Sequence, residues 1–372
     1  IQTQALAAAD LILLSPGLPG TLPSLEAPRQ RGVPIVGDIE LFAATCHAPV
    51  IGITGTNGKS TVTTLVGEMA RTAGQRVAVG GNLGEPVLDL PTDGVDVYVL
   101  ELSSFQLETT ASLRPQVAAI LNISPDHLDR YPDMAAYTAA KARLLRDARC
   151  AVLAAEDARV SGLTCAGERR FFRAGAVRGA AEVGELDHQG EAWLGRPGEP
   201  VIRCADLPLP GTHNRANVAA AIAIGFAMGW PVAAMREAVG DFRGLAHRTE
   251  RVATWQGVRY INDSKGTNVG ATLAALEGLH GEGDGKAVLI AGGEPKDRDF
   301  AALTPVLARC ARAVILTGPA VPWIAAAVPP QVPWQQAGDM DEAVRLAGAL
   351  AQPGDSVLLS PACASFDAYR DY

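Results

Sequence analysis

Short apolar runs alternate with helical patterns through the middle of the chain. Five of these runs indicate buried strands, at residues 49–54, 76–79, 95–100, 117–122 and 151–154. Helical patterns lie between them, for example at residues 62–70. Strands that alternate with helices predict a mostly parallel sheet with helices on both of its faces.

The same alternation returns in the last third of the chain and predicts a second doubly wound α/β unit. Its strands are expected at residues 259–261, 287–291, 313–316 and 356–359, with helices such as 341–351 between them. Between the two alternating regions, residues 168–203 are rich in glycine, charge and short apolar pairs, which favours a small antiparallel sheet. An alanine-rich helix is predicted over residues 214–228.

The first 37 residues contain one apolar run, residues 10–15, followed at once by Pro16 and Gly17. This pattern predicts a buried strand that ends in a turn. The chain also begins abruptly in an alanine-rich stretch and ends at Tyr372 without a closing helix, so we expect residues to be missing at both ends. We therefore interpret residues 1–37 as the remnant of a larger N-terminal α/β domain.

The length of the chain also predicts several domains, because 372 residues are more than one hydrophobic core usually serves. The composition shifts suggest a central domain over residues 38–244 and a C-terminal domain over residues 245–372. We expect a hinge near residues 240–245.

Charge and cysteine content exclude several classes of protein. A net charge of −8 argues against a nucleic-acid-binding surface, which would need a basic stripe. The six cysteines are scattered without a C-x-x-C pair, which argues against a zinc site or a disulfide framework and favours the cytoplasm. No apolar run is long enough to span a bilayer, so no membrane partner is expected.

Residues 52–61, GITGTNGKST, resemble a phosphate-binding loop with altered spacing. The common motif has a glycine where this chain has Ile53, and here the glycine is Gly55, three residues before Gly58. An apolar strand precedes the loop and a helix follows it, which is the setting that a phosphate cradle requires. In that setting Lys59 would meet the phosphates and Ser60 would reach Mg²⁺. The alternative is a glycine-rich turn with a solvated lysine.

Four more candidates follow predicted strands or lie in a helix of the central region. Glu101 ends an apolar strand and suits Mg²⁺, or else caps a helix or forms a salt bridge. Asp126 and His127 follow the next strand, where the histidine could bind metal or phosphate, or the segment could form a polar turn. Lys141 shares an apolar helix face, where a lysine more often extends its ammonium to solvent.

Further polar loops lie in or near the C-terminal region. Asn214 and Asn217 share the first turn of the alanine-rich helix and could hold a nucleotide or cap the helix. The dense polar loop 262–268 is costly to bury without a ligand or an internal network, although it could be a solvated turn. Lys296 and the segment 360–366 also follow predicted strands and could together capture a small anion, although each taken separately favours a turn.

These motifs together resemble the Mur ligases over nearly the whole chain. The matching segments are Ser15-Pro16-Gly17, Val36-Gly-Asp-Ile-Glu-Leu41, GTNGKSTVTTLVGEM, Gly80-Gly-Asn82, LELSSFQLE, Asp126-His127-x-Asp-Arg-Tyr-Pro, Ala-Ala-Lys141, His213-Asn214-x-x-Asn217, His247-Arg248, Asn-Asp-Ser-Lys-x-Thr and SPACAS. Mur ligases carry the shorter G-T-N-G-K-[ST] loop, which accounts for Ile53. The resemblance implies a central P-loop ATPase-like domain, a Rossmann-like C-terminal domain that binds glutamate, and a remnant of an N-terminal UDP-binding domain.

The resemblance also implies a role for each candidate residue. The implied ATP-binding residues are Gly55, Thr56, Asn57, Gly58, Lys59, Ser60, Thr61, Asn214, Asn217, Arg248 and Asp263. The implied magnesium ligands are Ser60, Glu101, His127 and Lys141, with Lys141 as a carbamate. The residues implied to bind substrate are Ser15, Pro16, Gly17, Asn82, His127, Lys265, Thr267, Lys296, Ser365 and Phe366. Lys59, Lys141, His127 and Arg248 are the implied catalytic residues.

The implied reaction is the ATP- and Mg²⁺-dependent joining of UDP-N-acetylmuramoyl-L-alanine to D-glutamate through an acyl phosphate, by a monomer. Three alternatives stay open. A related ligase could use L-glutamate or another amino acid. A folylpolyglutamate synthase-like ligase is the second, although the SPG turn, LELSSFQLE and SPACAS argue against it. A P-loop nucleotide switch or kinase would leave the C-terminal polar loops unexplained.

Overall fold

The structure is a computed structural model that describes residues 5–6, 8–209, 211–280, 285–296 and 298–365. It divides into two compact units. The first unit holds the described residues up to Ile123, together with Arg130–Pro208 and Ala216–Phe242. The second holds Ser124–Asp129, the described residues of Leu209–Arg215, and those from Arg243 onward.

The first unit is built on two sheets. Its strands are β1 (Ile12–Leu13), β2 (Ile35–Val36), β3 (Val50–Thr54), β4 (Val77–Gly81), β5 (Val97–Glu101), β6 (Val117–Ile120), β7 (Cys150–Ala154), β8 (Glu168–Ala176), β9 (Glu182–His188), β10 (Glu191–Arg196) and β11 (Glu199–Arg203). Its α-helices are Glu26–Gln30, Asp38–Thr45, Lys59–Thr72, Ser104–Glu108, Met134–Ala142, Ala158–Ser161 and Val232–Asp241, and the helix Thr212–Met228 is shared with the second unit. Short 3-10 turns occur at Pro23–Leu25, Val87–Asp89, Arg143–Leu145 and Cys204–Asp206.

The larger sheet has nine strands in the order β11-β10-β9-β8-β7-β6-β3-β5-β4. The neighbouring strands β4, β5, β3, β6, β7 and β8 pair in parallel, which confirms the predicted mostly parallel sheet. Every residue of β3, β5, β6 and β7 is buried, as expected when helices cover both faces of a parallel sheet. The segment predicted to be antiparallel extends this sheet. Strand β10 does pair antiparallel with both β9 and β11, but β8 pairs in parallel with β7 and β9, so the prediction is wrong for β8.

The N-terminal segment forms a small layer of its own. Strand β1 pairs in parallel with β2, and Ile12, Leu14 and Leu25 form a small buried cluster beside them. The predicted strand at residues 10–15 is therefore present, but only Ile12 and Leu13 have the ladder pairing of a strand. The turn with Pro16 and Gly17 follows directly.

The second unit is a six-stranded sheet. Its strands are β12 (Glu250–Trp255), β13 (Val258–Asn262), β14 (Ala287–Gly292), β15 (Ala311–Thr317), β16 (Trp334–Gln336) and β17 (Ser356–Leu359). Its helices are Val269–His280, Leu303–Cys310, Val321–Ala327 and Met340–Leu350. The strand order is β12-β13-β17-β14-β15-β16, with only β12 antiparallel to its neighbour among the described strands.

Two clusters of buried side chains cover the faces of this sheet. One contains Leu289 and Leu307, and the other contains Val288 and Ile290, so neighbouring residues of β14 serve opposite faces. This arrangement confirms the predicted doubly wound unit. Among the described residues, no helix combines the length and the apolarity that crossing a membrane requires.

Candidate functional site

The glycine-containing loop joins β3 to the helix Lys59–Thr72, as the sequence predicts. Gly58 has a φ of 82° at the start of this helix, a left-handed conformation that glycine adopts at little cost. The helix therefore begins at Lys59, three residues earlier than predicted. Lys59 Nζ donates hydrogen bonds to the carbonyl oxygens of Gly55 (3.1 Å) and Thr56 (2.8 Å), so the loop curls around the ammonium group.

A residue at the end of β6 holds the other side of the loop. The amide of Thr56 donates to Asn122 O at 2.9 Å, and the amide of Asn57 donates to Asn122 Oδ1 at 2.8 Å. Asn122 Nδ2 donates in return to Asn57 O at 2.9 Å. We did not single out Asn122 from the sequence, although it is the first strongly polar residue after an apolar strand, which is a usable signal.

Glu101 lies at the end of β5 and joins two other predicted site residues. Its Oε2 accepts a hydrogen bond from Ser60 Oγ at 2.6 Å, and its Oε1 accepts one from Asn82 Nδ2 at 2.7 Å. The residue is only 3% exposed. The helix that follows is capped by Ser103, which accepts from the amide of Gln106, so the helix-cap interpretation of Glu101 is wrong.

Lys141 is buried, with 2% of its surface exposed, so the alternative of an ammonium extended to solvent is wrong. Its Nζ donates to Gly55 O at 2.8 Å and lies 4.7 Å from the centre of the Tyr137 ring. The Tyr137 hydroxyl lies 3.2 Å from Thr56 Oγ1. One helix thus brings an amine and a phenol against the loop.

Asn217 also lies against the loop, because a Cβ atom added to Gly58 would collide with Asn217 Oδ1. Glycine at this position is therefore required by close packing as well as by its φ angle. Both Asn214 and Asn217 are buried and lie inside the helix Thr212–Met228, so neither is its N-cap. Thr61 is buried in the first turn after the loop.

In the second unit, Asp263 follows β13 at the centre of a buried polar cluster. Its Oδ2 accepts from Ser360 Oγ at 2.7 Å, and its Oδ1 accepts from the Thr249 amide at 3.0 Å. Burial raises the pKa of this carboxyl to about 6, and the hydrogen bonds from Ser360 and Thr249, followed by the positive charge of Arg248, oppose that rise. The residue is 7% exposed, so a fully solvated turn is wrong for this part of the loop.

A second cluster in this unit gathers around Asp126. Lys296 Nζ lies 3.2 Å from Asp126 Oδ1 and 3.3 Å from Thr267 Oγ1, within hydrogen-bonding distance of both. Asn268 Nδ2 donates to Asp126 Oδ2 at 3.2 Å. His127 Nε2 lies 3.6 Å from that same oxygen. The predicted residues Thr267, Lys296 and His127 are therefore brought together, whereas the sequence did not single out Asn268 or the central role of Asp126.

The remaining predicted residues lie in nearby or separate loops. The amide of Lys265 donates to His247 O at 3.2 Å. Ser365 directly follows Ala364, whose backbone pairs with Glu294, two residues before Lys296. Phe366 lies outside the described residues. In the first unit, Ser15, Pro16 and Gly17 form the turn after β1.

The donor set around the loop fits a small hard cation. Among the described residues, no three His, Cys, Asp or Glu side chains are grouped as a metal site. Magnesium in nucleotide sites typically needs only one or two protein oxygens, because phosphate and water supply the rest. Ser60 Oγ and the Glu101 carboxylate are two such oxygens, side by side at the helix N-terminus.

Comparison with known proteins agrees with this geometry. The Mur ligase middle domain model matches residues 53–225, and the model for the Mur ligase glutamate ligase domain matches residues 247–363. A Nitrosococcus oceani protein named UDP-N-acetylmuramoylalanine--D-glutamate ligase is 50% identical over 368 residues, which cover 99% of this chain and 81% of that protein. A Methylobacillus flagellatus protein of the same name is 51% identical over 368 residues, 98% of this chain and 80% of that protein.

Solved structures share the fold at much lower identity. MurF from Acinetobacter baumannii matches with a TM-score of 0.70 and 18% sequence identity, over 86% of this chain and 75% of that one. At this identity the likeness concerns the fold alone.

Proposed function

The chain belongs to the Mur ligase family, and we propose that it joins the L-alanyl carboxylate of UDP-N-acetylmuramoyl-L-alanine to the amine of D-glutamate with ATP. This is a step of peptidoglycan precursor synthesis. The geometry that carries the proposal is the short loop wrapped around Lys59, with the Ser60–Glu101 hydrogen bond of 2.6 Å beside it. The choice of acid and amine rests on the names of the relatives.

ATP binding in the first unit follows from the loop. The amides at the start of the helix Lys59–Thr72 favour an anion, and Lys59 would exchange the carbonyls of Gly55 and Thr56 for phosphate oxygens. Gly58, Asn57 and Thr61 complete the cradle, and Asn217 holds its shape from one side. In the second unit, Arg248 and Asp263 are proposed nucleotide contacts, as is Asn214.

Magnesium, when bound, neutralises phosphate charge, and Ser60 and Glu101 would hold it. His127 is a further proposed ligand. Lys141 fits a different role because its buried amine already contacts the loop at Gly55 O. Carbamylation would convert that cation into an anion able to support the metal site.

The Lys141 proposal has a direct test. Lys141→Ala should lose most ligase activity, and added acetate or formate should restore part of it by replacing the missing carboxylate. A ¹³C signal for a lysine carbamate should appear in wild-type protein kept in ¹³C-bicarbonate. An unmodified lysine at high bicarbonate would contradict the assignment.

The chemistry proceeds in two steps. The γ-phosphoryl group of ATP moves to the carboxylate oxygen of the acid substrate, which gives an acyl phosphate and ADP. The glutamate amine then attacks the acyl carbon, and the tetrahedral intermediate expels phosphate as the C–N bond is completed. Lys59 and Arg248 offset the phosphate charge, so that catalysis rests mainly on positioning and charge neutralisation.

The glutamate substrate would be held by the second unit through its carboxylate. Lys296 and Thr267 form a cation–hydroxyl pair that is matched to a carboxylate, and the Asp126 carboxylate stands beside it. Lys265 and Ser365 lie in adjacent loops and are proposed to complete this site with Phe366. Ser15, Pro16, Gly17 and Asn82 are the proposed contacts of the UDP-sugar.

The deciding experiment measures phosphate release by the full-length protein with ATP, Mg²⁺ and UDP-N-acetylmuramoyl-L-alanine, adding one amino acid at a time. We expect turnover with D-glutamate. Preference for L-glutamate or another amino acid would identify a related ligase, and turnover with a folate acceptor instead would favour the folylpolyglutamate synthase-like alternative. Hydrolysis that is independent of any amino acid would favour a nucleotide switch. A monomer in the cytoplasm remains a prediction from the sequence.

A further inference from the structure

Arg130 connects the N-terminal turn to the body of the first unit. Its Nη1 donates to Pro16 O at 2.9 Å, and its Nη2 lies 3.4 Å from Leu18 O. The side chain is only 14% exposed, although it extends from a loop that is more than a hundred residues from the turn along the chain. One guanidinium group therefore contacts two carbonyls of the segment 15–18.

Arg130 is itself held rigidly by the helix Ser104–Glu108. Its Nη2 lies 2.9 Å from Glu108 Oε2, and its guanidinium carbon lies 3.8 Å from the centre of the Phe105 ring. The hydroxyl of the next residue, Tyr131, donates to the other oxygen of Glu108. Stacking on the ring and pairing with the carboxylate fix both the plane and the direction of the guanidinium.

The turn needs such a support because its own strand is short. Strand β1 has two residues, and its pairing includes the bond from the Leu14 amide to Val36 O at 2.8 Å, just before the turn. Within the turn, the Leu18 amide donates to Ser15 O at 3.0 Å. A turn on so small a sheet would otherwise have little to set its position.

We propose that Arg130 is a positioning residue that holds the turn Ser15–Leu18 in place for the UDP-sugar acid, without touching that substrate itself. The inference deepens the proposed function and rests on it for the identity of the ligand. It joins three motifs that the sequence presents separately: Ser15-Pro16-Gly17, LELSSFQLE with Phe105 and Glu108, and the Asp-Arg-Tyr-Pro run with Arg130 and Tyr131.

The test compares Arg130→Ala and Arg130→Lys with wild type and with Arg76→Ala. Arg76 is the matched control, because it pairs with Asp96 on the surface of the same unit. We expect Arg130→Ala to raise the KM for UDP-N-acetylmuramoyl-L-alanine about tenfold, since two hydrogen bonds from a charged donor are lost. Arg130→Lys should raise this KM by a smaller factor, because an ammonium keeps the charge but lacks the planar fork of the guanidinium. The KM for ATP should stay within about twofold of wild type in each variant, because a positioning role at the turn leaves the phosphate loop intact.

Amide hydrogen exchange gives a second readout that needs no turnover. Peptides covering residues 12–25 should exchange faster in Arg130→Ala than in wild type or Arg76→Ala, while peptides of β3 and β5 should not change. If Arg130→Ala does not fold, Phe105→Leu removes the stacked ring and should shift both readouts in the same direction by a smaller amount.

Two results would overturn the proposal. One is an unchanged KM for the UDP-sugar together with unchanged exchange at residues 12–25. The other is a parallel rise in both KM values with a lowered Tm, which would indicate general damage. If wild type does not turn over the UDP-sugar at all, the proposed function fails, and the exchange data still decide whether Arg130 holds the turn.

Discussion

The two compact units build polar sites in different ways. In the first unit, most of the loop that surrounds Lys59 comes from consecutive residues, 55–61, and glycine φ angles set its shape. In the second unit, Asp263 meets Ser360 from 97 residues away, and Lys296 meets Asp126 from 170 residues away. A site formed by the backbone of consecutive residues can be predicted from a short sequence motif. A site formed by side chains that are distant in the sequence can be identified only in the folded structure.

The largest effect is expected when the positive charge of Lys59 is removed from the loop. Lys59→Ala should lower the rate of ligation about 10²- to 10³-fold, because no other group of the loop replaces an ammonium at the transferred phosphate. Single-turnover kinetics with ATP would measure it, and the exposed Lys286→Ala should behave as wild type. Near-normal ligation by Lys59→Ala would show that the loop is not the phosphate site.

A second change separates backbone conformation from close packing in the same unit. Gly58 and Gly74 have nearly the same φ, 82° and 83°, but a Cβ on Gly58 would strike Asn217 while a Cβ on Gly74 would meet nothing within 4 Å. Both alanine variants should lose about 1 kcal/mol of unfolding free energy from the left-handed backbone. Only Gly58→Ala should also raise the KM for ATP, about tenfold, because the loop must shift.

Thermal unfolding and ATP kinetics of the two glycine variants would measure this difference. If Gly58→Ala and Gly74→Ala proved kinetically alike, the packing of Asn217 on the loop would have no part in nucleotide binding. The effects of both substitutions would then be explained by the left-handed backbone conformation alone.

A third expected effect concerns stability in the second unit rather than catalysis. Burial raises the pKa of Asp263 from the ordinary 3.8 to about 6. The folded state therefore holds this proton more tightly than the unfolded state. The resulting stabilisation is fully present below about pH 4 and is lost as the pH rises through 6. The difference corresponds to an upper limit of about 3 kcal/mol.

Urea unfolding of the second unit between pH 4 and 7 would measure this dependence. Wild-type protein should lose stability relative to Asp263→Asn over that range, because the amide does not titrate. The exposed Asp341→Asn in the same unit is the control and should follow wild type. A gap between wild type and Asp263→Asn that is constant with pH would contradict a raised pKa.

Local pattern was enough for most of the architecture. The predicted strands of both sheets are present within a few residues, because buried parallel strands are continuous apolar runs. Strand β12 was not predicted, since five of its six residues are exposed and show no apolar face. Its turn to β13 does carry a local signal, with Gln256 and Gly257 both at positive φ, as a two-residue hairpin requires.

The candidate sites were predictable only as separate parts. Ser60, Glu101 and Asn82 were each singled out, but their shared hydrogen bonds depend on the position of β5 between β3 and β4. Neither Asn122 nor Arg130 was singled out. Asn122 carries a local signal, as the first strongly polar residue after an apolar strand, whereas an arginine in a loop such as Arg130 carries none. The sequence around Lys141 favoured an ammonium group extended to solvent, and only the folded structure shows that this residue is buried.

By itself, the sequence determined the alternation of strands and helices, the short phosphate loop and the order of motifs that places the chain among the Mur ligases. The tertiary structure decided which polar side chains meet: Glu101 with Ser60 and Asn82, Lys296 with Asp126, and Arg130 with the turn at Pro16. The physical reason is the distance along the sequence over which each property is set. Backbone conformation and apolar periodicity are local properties of the chain, whereas a hydrogen bond across many residues exists only after sheet order and strand ends have brought its two groups together.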